Sequence, residues 1–146
     1  MNDEPILLVE DNPDDEALVL RALKKFNVKN DTNVVRDGAE ALDYMFKTGP
    51  YADRKGGNPA VILLDLKLPK IDGLEVLRRL REDQRTRHQP VVILTSSDEQ
   101  EDMVRGYELG ANSYVRKPVG FEEFSEAVRQ LGLYWLLLNK PPPQTG

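Results

Sequence analysis

Ala60-Val61-Ile62-Leu63-Leu64-Asp65-Leu66-Lys67-Leu68-Pro69 is an unbroken apolar run that ends on a carboxylate. Continuous Val/Ile/Leu without alternation marks a strand buried on both faces, as in parallel sheets covered by helices on each side. In open α/β sheets, ligands bind beyond the carboxyl ends of the strands, so Asp65 stands where chemistry is expected. A turn cap or an ion pair would also place an acid there.

The remaining composition narrows the class. A chain of 146 residues suits one domain with one core, and no separate output domain is expected. Apolar residues at 40% and charged residues at 31% exclude a disordered chain, and the lack of Cys removes disulfides and thiolate metal sites. The N-terminus is acidic, and the longest near-apolar run, 131–138, is too short to span a bilayer. A soluble, cytoplasmic protein with no membrane partner is expected. The net charge of -5 disfavours non-specific nucleic-acid binding, and the cluster Arg78, Arg79, Arg81, Arg85 and Arg87 fits a solvated face.

Outward from the central run, strands alternate with helices. Ile6-Leu7-Leu8-Val9 is a short buried strand ending in Glu10-Asp11, and Asn12-Pro13-Asp14-Asp15 opens a helix with a capping side chain, Pro and acids. Ala17, Leu18, Ala22 and Phe26 are its expected apolar stripe, to about Asn27. Val34-Val35 is a weak second strand. Asp37 with Glu40, and Asp72 with Glu75, form capping boxes for two further helices. The 48–59 segment, with Gly56-Gly57, is predicted to be a loop. Pro90 to Leu94 is a fourth strand closed by Thr95-Ser96-Ser97, and Ser97 with Gln100 caps a thinly apolar helix that Gly110 ends. Ser113-Tyr114-Val115-Arg116 is a fifth strand running into Lys117-Pro118, and a long helix follows from about Phe121. Five strands alternating with five helices predict a flavodoxin-like α/β domain, a doubly wound parallel sheet of order 2-1-3-4-5.

At the strands' C-terminal ends stand Glu10 and Asp11, then Asp65, Thr95 and Lys117. In the 2-1-3-4-5 order the three carboxylates converge, and they would repel unless a cation joined them. Magnesium, a hard ion that takes carboxylate, water and phosphate oxygens, fits. Lys117 and the Thr95 hydroxyl supply a point charge and a neutral donor for a phosphoryl group.

Val9-Glu10-Asp11-Asn12, Leu64-Asp65 followed by Pro69 and Gly73, Leu94-Thr95-Ser96 and Tyr114-Val115-Arg116-Lys117-Pro118 together resemble a response-regulator receiver domain of two-component signalling, over almost the whole chain. Glu10 to Asp15, the 48–59 insert and the ending from Tyr134 to Pro142 are most similar to single-domain regulators that partner phytochrome-type histidine kinases. The resemblance implies that Asp65 is the phospho-acceptor, taking its group from a phosphohistidine on a sensor histidine kinase. It implies that Glu10, Asp11, Asp65 and the Lys67 backbone carbonyl hold magnesium, that Lys117 binds phosphoryl oxygens through a residue followed by a cis peptide to Pro118, and that Thr95 and Tyr114 form the switch. Such a protein is a signalling receiver, not an enzyme in its own right. Lys67 and Ser97 stand where the family tunes dephosphorylation, which leaves phosphate lifetime open.

Three rivals are weighed. A haloacid-dehalogenase-type phosphatase would want an acid where Lys67 stands. A phosphate-independent pseudo-receiver adaptor shares the fold but has no need of the full residue set. Direct DNA binding would want a helix-turn-helix after the last helix, and none is legible. His88 lies in a polar loop and has no expected role.

The last helix predicts assembly. Phe121, Phe124, Val128, Leu131, Trp135 and Leu138 form one stripe that can cover the sheet, while Leu133, Leu136 and Leu137 point elsewhere. A helix apolar nearly all round is expected to be buried all round. The expectation is a two-fold homodimer through residues 133–146, a C-terminal helix extension with a Pro-rich tail on a single receiver domain spanning 1–146. Folding of the tail onto its own domain is the alternative.

Overall fold

The computed structural model describes residues 4–25, 28–95 and 100–117, with Glu122, Glu123 and Glu126 beyond them. Five parallel strands, β1 (Ile6–Val9), β2 (Thr32–Val35), β3 (Val61–Leu64), β4 (Val91–Thr95) and β5 (Ser113–Arg116), lie in the order β2-β1-β3-β4-β5. Helices α1 (Pro13–Lys25), α2 (Gly38–Phe46), α3 (Gly73–Glu82) and α4 (Gln100–Glu108) make the connections. This is the predicted flavodoxin-like order, with its switch point between β1 and β3. Glu122, Glu123 and Glu126 are helical and exposed, and the rest of the expected fifth helix lies outside the described residues. No helix among the described residues is long and apolar enough to cross a membrane.

The alternation of side chains along each strand divides the core in two. Ile6, Leu8, Leu63, Val92 and Leu94 face Val19 and Leu23 of α1. Leu7, Val9, Ile62, Leu64 and Ile93 face the other side, with Ala41 and Met45 of α2 and Val76, Leu77 and Leu80 of α3. Every residue of β1, β3 and β4 is buried, as the continuous apolar runs require. β2 is an edge strand, starts earlier than expected and buries only Val35 fully.

Two local expectations need correction. The buried stripe of α1 is Val19 and Leu23, while Ala17 and Leu18 face solvent and Ala22 is half-buried. The run from Ala17 to Leu23 carries two overlapping apolar stripes, and the tertiary surface beneath α1 selects the one through Val19 and Leu23, which packs on Ile6, Leu8 and Leu63. Phe26 lies outside the described residues. The 48–59 segment is the predicted loop, held by contacts that its composition does not show. A 3-10 turn spans Gly49–Tyr51, Arg54 lies 4.2 Å over the Tyr44 ring and donates to Tyr44 O, and Lys47 Nζ donates to Gly56 O. The capping boxes, finally, are only half made. Asp37 and Asp72 each accept from the backbone N–H three residues on, at 2.7 and 2.9 Å. Glu40, however, accepts from the Arg36 N–H, and Glu75 turns forward to Arg78 and Arg79.

The basic face of α3 is indeed a solvated one. Arg78 pairs with Glu75 and Glu82, Arg79 with Glu75, and Arg85 with Asp83. Arg81 is different, spanning to α4 and donating to the Leu109 and Gly110 carbonyls that end it. Helix α4 itself packs thinly. Gly106 is its buried residue, close against Ile93, while Met103, Val104 and Tyr107 are exposed. Few buried contacts mean low local stability.

Candidate functional site

The sheet ladder runs one residue past three strand ends, and that residue is each time a candidate. Glu10 N donates to Val35 O, Asp65 N to Val9 O, and Lys117 N to Thr95 O, at 2.9–3.1 Å. Backbone pairing therefore fixes where these side chains start. Asn12 closes the β1 end, its Oδ1 accepting from the Asp14 and Asp15 N–H groups at the head of α1.

Glu10, Asp11 and Asp65 come together, one carboxylate oxygen of each lying within 4.8 Å of the others. Glu10 is 1% exposed, Asp65 is buried and Asp11 faces solvent. Lys117 Nζ reaches into this group from β5, contacting Glu10 Oε1, Asp15 Oδ2 at 2.9 Å and Asp65 Oδ2 at 3.1 Å. The other Asp65 oxygen accepts from the Lys67 N–H at 3.2 Å. Thr95 is fully buried at the end of β4, and Tyr114 is half-buried on β5, opposite Ile93 and against the core. The strand-end residues named from the sequence are thus brought to one edge of the sheet. Pro118 with its peptide bond, Ser97, and the expected interface residues Leu133, Leu136 and Leu137 lie outside the described residues.

The charges are strained against one another. Burial pushes the Glu10 carboxyl up to about 7; contact with Lys117 works against that rise, and the Asp65 charge adds to it. Burial pulls the Lys117 ammonium down, but Glu10, Asp15 and Asp65 outweigh it and hold the ammonium above its ordinary range. The donor set fits a divalent cation. It is all oxygen and convergent, and it sits at the buried end of the sheet with Glu10 Oε1 shielded from solvent and in contact with the Lys117 ammonium.

Two features were not foreseen. Asp15 was expected only as an acid in the first turn of a helix, yet it meets a Lys 102 positions away. Gly38 and Gly73 each follow a capping Asp, and each presses on the loop after β3. A Cβ on Gly38 would lie 1.9 Å from Ile71 O, and one on Gly73 2.2 Å from Asp65 O. The Asp-Gly pairs at 37–38 and 72–73 were the available signal. His88 is exposed, as expected. A cavity of about 780 Å³, bounded by Thr32, Tyr44, Tyr51 and Arg54, lies at the opposite, N-terminal edge of the sheet and contains none of the strand-end groups.

A parallel α/β sheet with an acidic triad and one Lys at its carboxyl edge is the architecture of a signalling receiver. Residues 6–129 match the response regulator receiver domain, and the chain belongs to that family, whose members are two-component signalling proteins. It resembles the bacteriophytochrome response regulator RtBRR with a TM-score of 0.85 at 55% identity, covering 96% of this chain and 84% of that one. For the bacteriophytochrome response regulator AtBRR the TM-score is 0.84 at 58% identity, covering 94% and 98%. The response regulator Rcp1 of Synechocystis sp. is 36% identical over 90% of this chain and 88% of its own length. A structure of Rcp1 holds Mn²⁺ and superposes with a TM-score of 0.76, covering 96% and 99% at 34% identity.

Proposed function

We propose that Asp65 accepts a phosphoryl group from a phosphohistidine on a sensor histidine kinase of the phytochrome type, with magnesium as the cofactor. The observation that carries this reading is the convergence of Glu10, Asp11 and Asp65 with the Lys117 ammonium against Asp65 Oδ2. The likeness to two bacteriophytochrome response regulators supports the choice of kinase. In the transfer an Asp65 oxygen bonds to phosphorus as the P–N bond of the phosphohistidine breaks, and the leaving imidazole nitrogen takes the electron pair and a proton. Phosphoryl transfer is mainly positioning and charge neutralisation. Glu10, Asp11, Asp65 and the Lys67 carbonyl would hold magnesium, which supplies neutralising charge to the phosphoryl oxygens. Lys117 supplies the second cation, and Thr95 and Tyr114 respond to the new acceptor oxygens by changing arrangement. Thinly packed α4 is the element free to follow.

The test is intact-mass measurement after incubation with magnesium and a small phosphodonor such as acetyl phosphate. One added phosphoryl group is expected, labile to hydroxylamine, absent in Asp65→Asn and absent in excess EDTA. Wild type left unmodified by donor and kinase alike would make the protein a phosphate-independent adaptor, and uptake undiminished by EDTA would remove the metal from the reading.

The regulator is also proposed to act as a homodimer through its C-terminal helix, beside α4 and without binding DNA itself. The support is the sequence pattern: Phe121, Phe124, Val128, Leu131, Trp135 and Leu138 fall on one helical stripe, and Leu133, Leu136 and Leu137 fall off it. Leu133→Glu/Leu137→Glu is expected to sediment as a folded monomer at concentrations where wild type sediments as a dimer. A wild type that stays monomeric throughout the concentration series contradicts this.

A further inference from the structure

We infer that Asp15 is a positioning residue that holds the Lys117 ammonium over the phosphoryl-accepting end of Asp65. The inference rests on the reading of Asp65 as phospho-acceptor. An ammonium has three N–H bonds to give, and Lys117, with a side chain only 7% exposed, has three carboxylates around it: Glu10, Asp15 and Asp65. These three are not equivalent. Glu10 and Asp65 belong to the cluster of oxygens within 4.8 Å that suits a cation, and Asp15 does not. A divalent ion held by that cluster would compete with Lys117 for two of its three partners. Asp65 also gives up its carboxylate charge on forming an acyl phosphate. Asp15 alone keeps both its charge and its commitment to Lys117 throughout.

Its own placement is well determined. Asp15 sits in the first turn of α1, and its N–H donates to Asn12 Oδ1 at 3.1 Å. The helix is seated in the core by Val19 and Leu23. The carboxylate thus stands on a rigid element, which is what accurate positioning of a partner needs. A lysine has four rotatable bonds and a compact charge. Anchored on one side by Asp15, its remaining N–H groups point back toward Asp65 and whatever phosphoryl oxygens arrive there.

The experiment compares wild type, Asp15→Asn and Asp15→Glu at saturating magnesium. Initial phosphorylation from acetyl phosphate is expected to slow about tenfold in Asp15→Asn, as for the loss of one charge-assisted contact in the transition state. Asp15→Glu is expected to regain most of the rate, because it restores the charge, and the melting temperatures of all three are expected to agree. A second readout needs neither metal nor phosphate. In metal-free protein labelled with ¹⁵N-lysine, the Lys117 ammonium protons exchange slowly in wild type and Asp15→Glu, and fast in Asp15→Asn. Wild type that takes up no phosphoryl group overturns the reading of Asp65. Wild type that does, with Asp15→Asn equal to it in rate and in ammonium exchange, overturns the role of Asp15. So does Asp15→Glu as slow as Asp15→Asn, since a carboxylate charge would then not be what matters.

Discussion

Replacing Lys117 with Ala is expected to destabilise the metal-free protein by about 3–5 kcal/mol at pH 8, the usual cost of stripping a buried charge of its partner. Magnesium is expected to return most of that loss. Glu10 is 1% exposed and Asp65 is buried beside it, with Lys117 between them. Without the ammonium, two neighbouring carboxylates repel in a medium that screens them poorly. The sign of the pH dependence follows from Glu10, whose carboxyl is raised from 4.5 to about 7. The folded protein keeps this proton where the unfolded chain has lost it, so the associated stability is present below about 4.5 and fades as pH rises through about 7. Removing Lys117 removes a contact that opposes the rise, so the window extends upward. The variant should therefore approach wild type near pH 5 and fall furthest below it near pH 8. Urea unfolding at both pH values, in EDTA and in magnesium, measures all four corners. A variant as stable as wild type in EDTA at pH 8 would show that the acids are solvated and need no counter-charge.

Elements whose patterns are local and strong were legible in the sequence. The short, β-branched apolar runs of β1, β3 and β4, each closed by a polar residue, are best explained as doubly covered strands, and Glu10, Asp11, Asp65, Thr95 and Lys117 follow because each stands at a strand's end. Helix α1 shows where such reading stops. Val19 and Leu18 are equally apolar, and only the tertiary surface beneath the helix decides that Val19 is buried and Leu18 is 39% exposed. The 48–59 loop shows another boundary. Its order comes from Arg54 stacking on Tyr44 and from Tyr51 donating to Glu40, contacts between a loop and a helix that no periodicity encodes. The partnership of Asp15 with Lys117 was illegible for the same reason. Its two residues are far apart in sequence, and the first-turn chemistry of α1 already gave Asp15 a sufficient local explanation.

Gly73→Ala is expected to lower the rate of Asp65 phosphorylation about 100-fold, the scale of effect seen when a reacting group is displaced by about 1 Å. Gly73 is the first residue of α3, and its N–H donates to Leu66 O at 2.8 Å, so the helix start lies directly on the loop that leaves β3. A Cβ there would stand 2.2 Å from Asp65 O and 2.7 Å from Leu66 Cα. Both are backbone atoms, so no side-chain rotation relieves the clash. Either α3 lifts or the Asp65–Lys67 segment moves. Moving α3 would disturb Val76, Leu77 and Leu80, all within 1% exposure. The loop is the softer of the two, and it carries the proposed acceptor carboxylate together with the proposed carbonyl ligand. It has little room on its other side, where Gly38 of α2 meets Ile71 O. Overpacking of this kind costs about 1–3 kcal/mol, which leaves the protein folded. The expected signature is thus a large loss of phosphorylation at saturating magnesium with a modest fall in melting temperature. A rate within about threefold of wild type would mean that the loop absorbs a methyl group without moving Asp65, and that close packing at Gly73 serves stability alone.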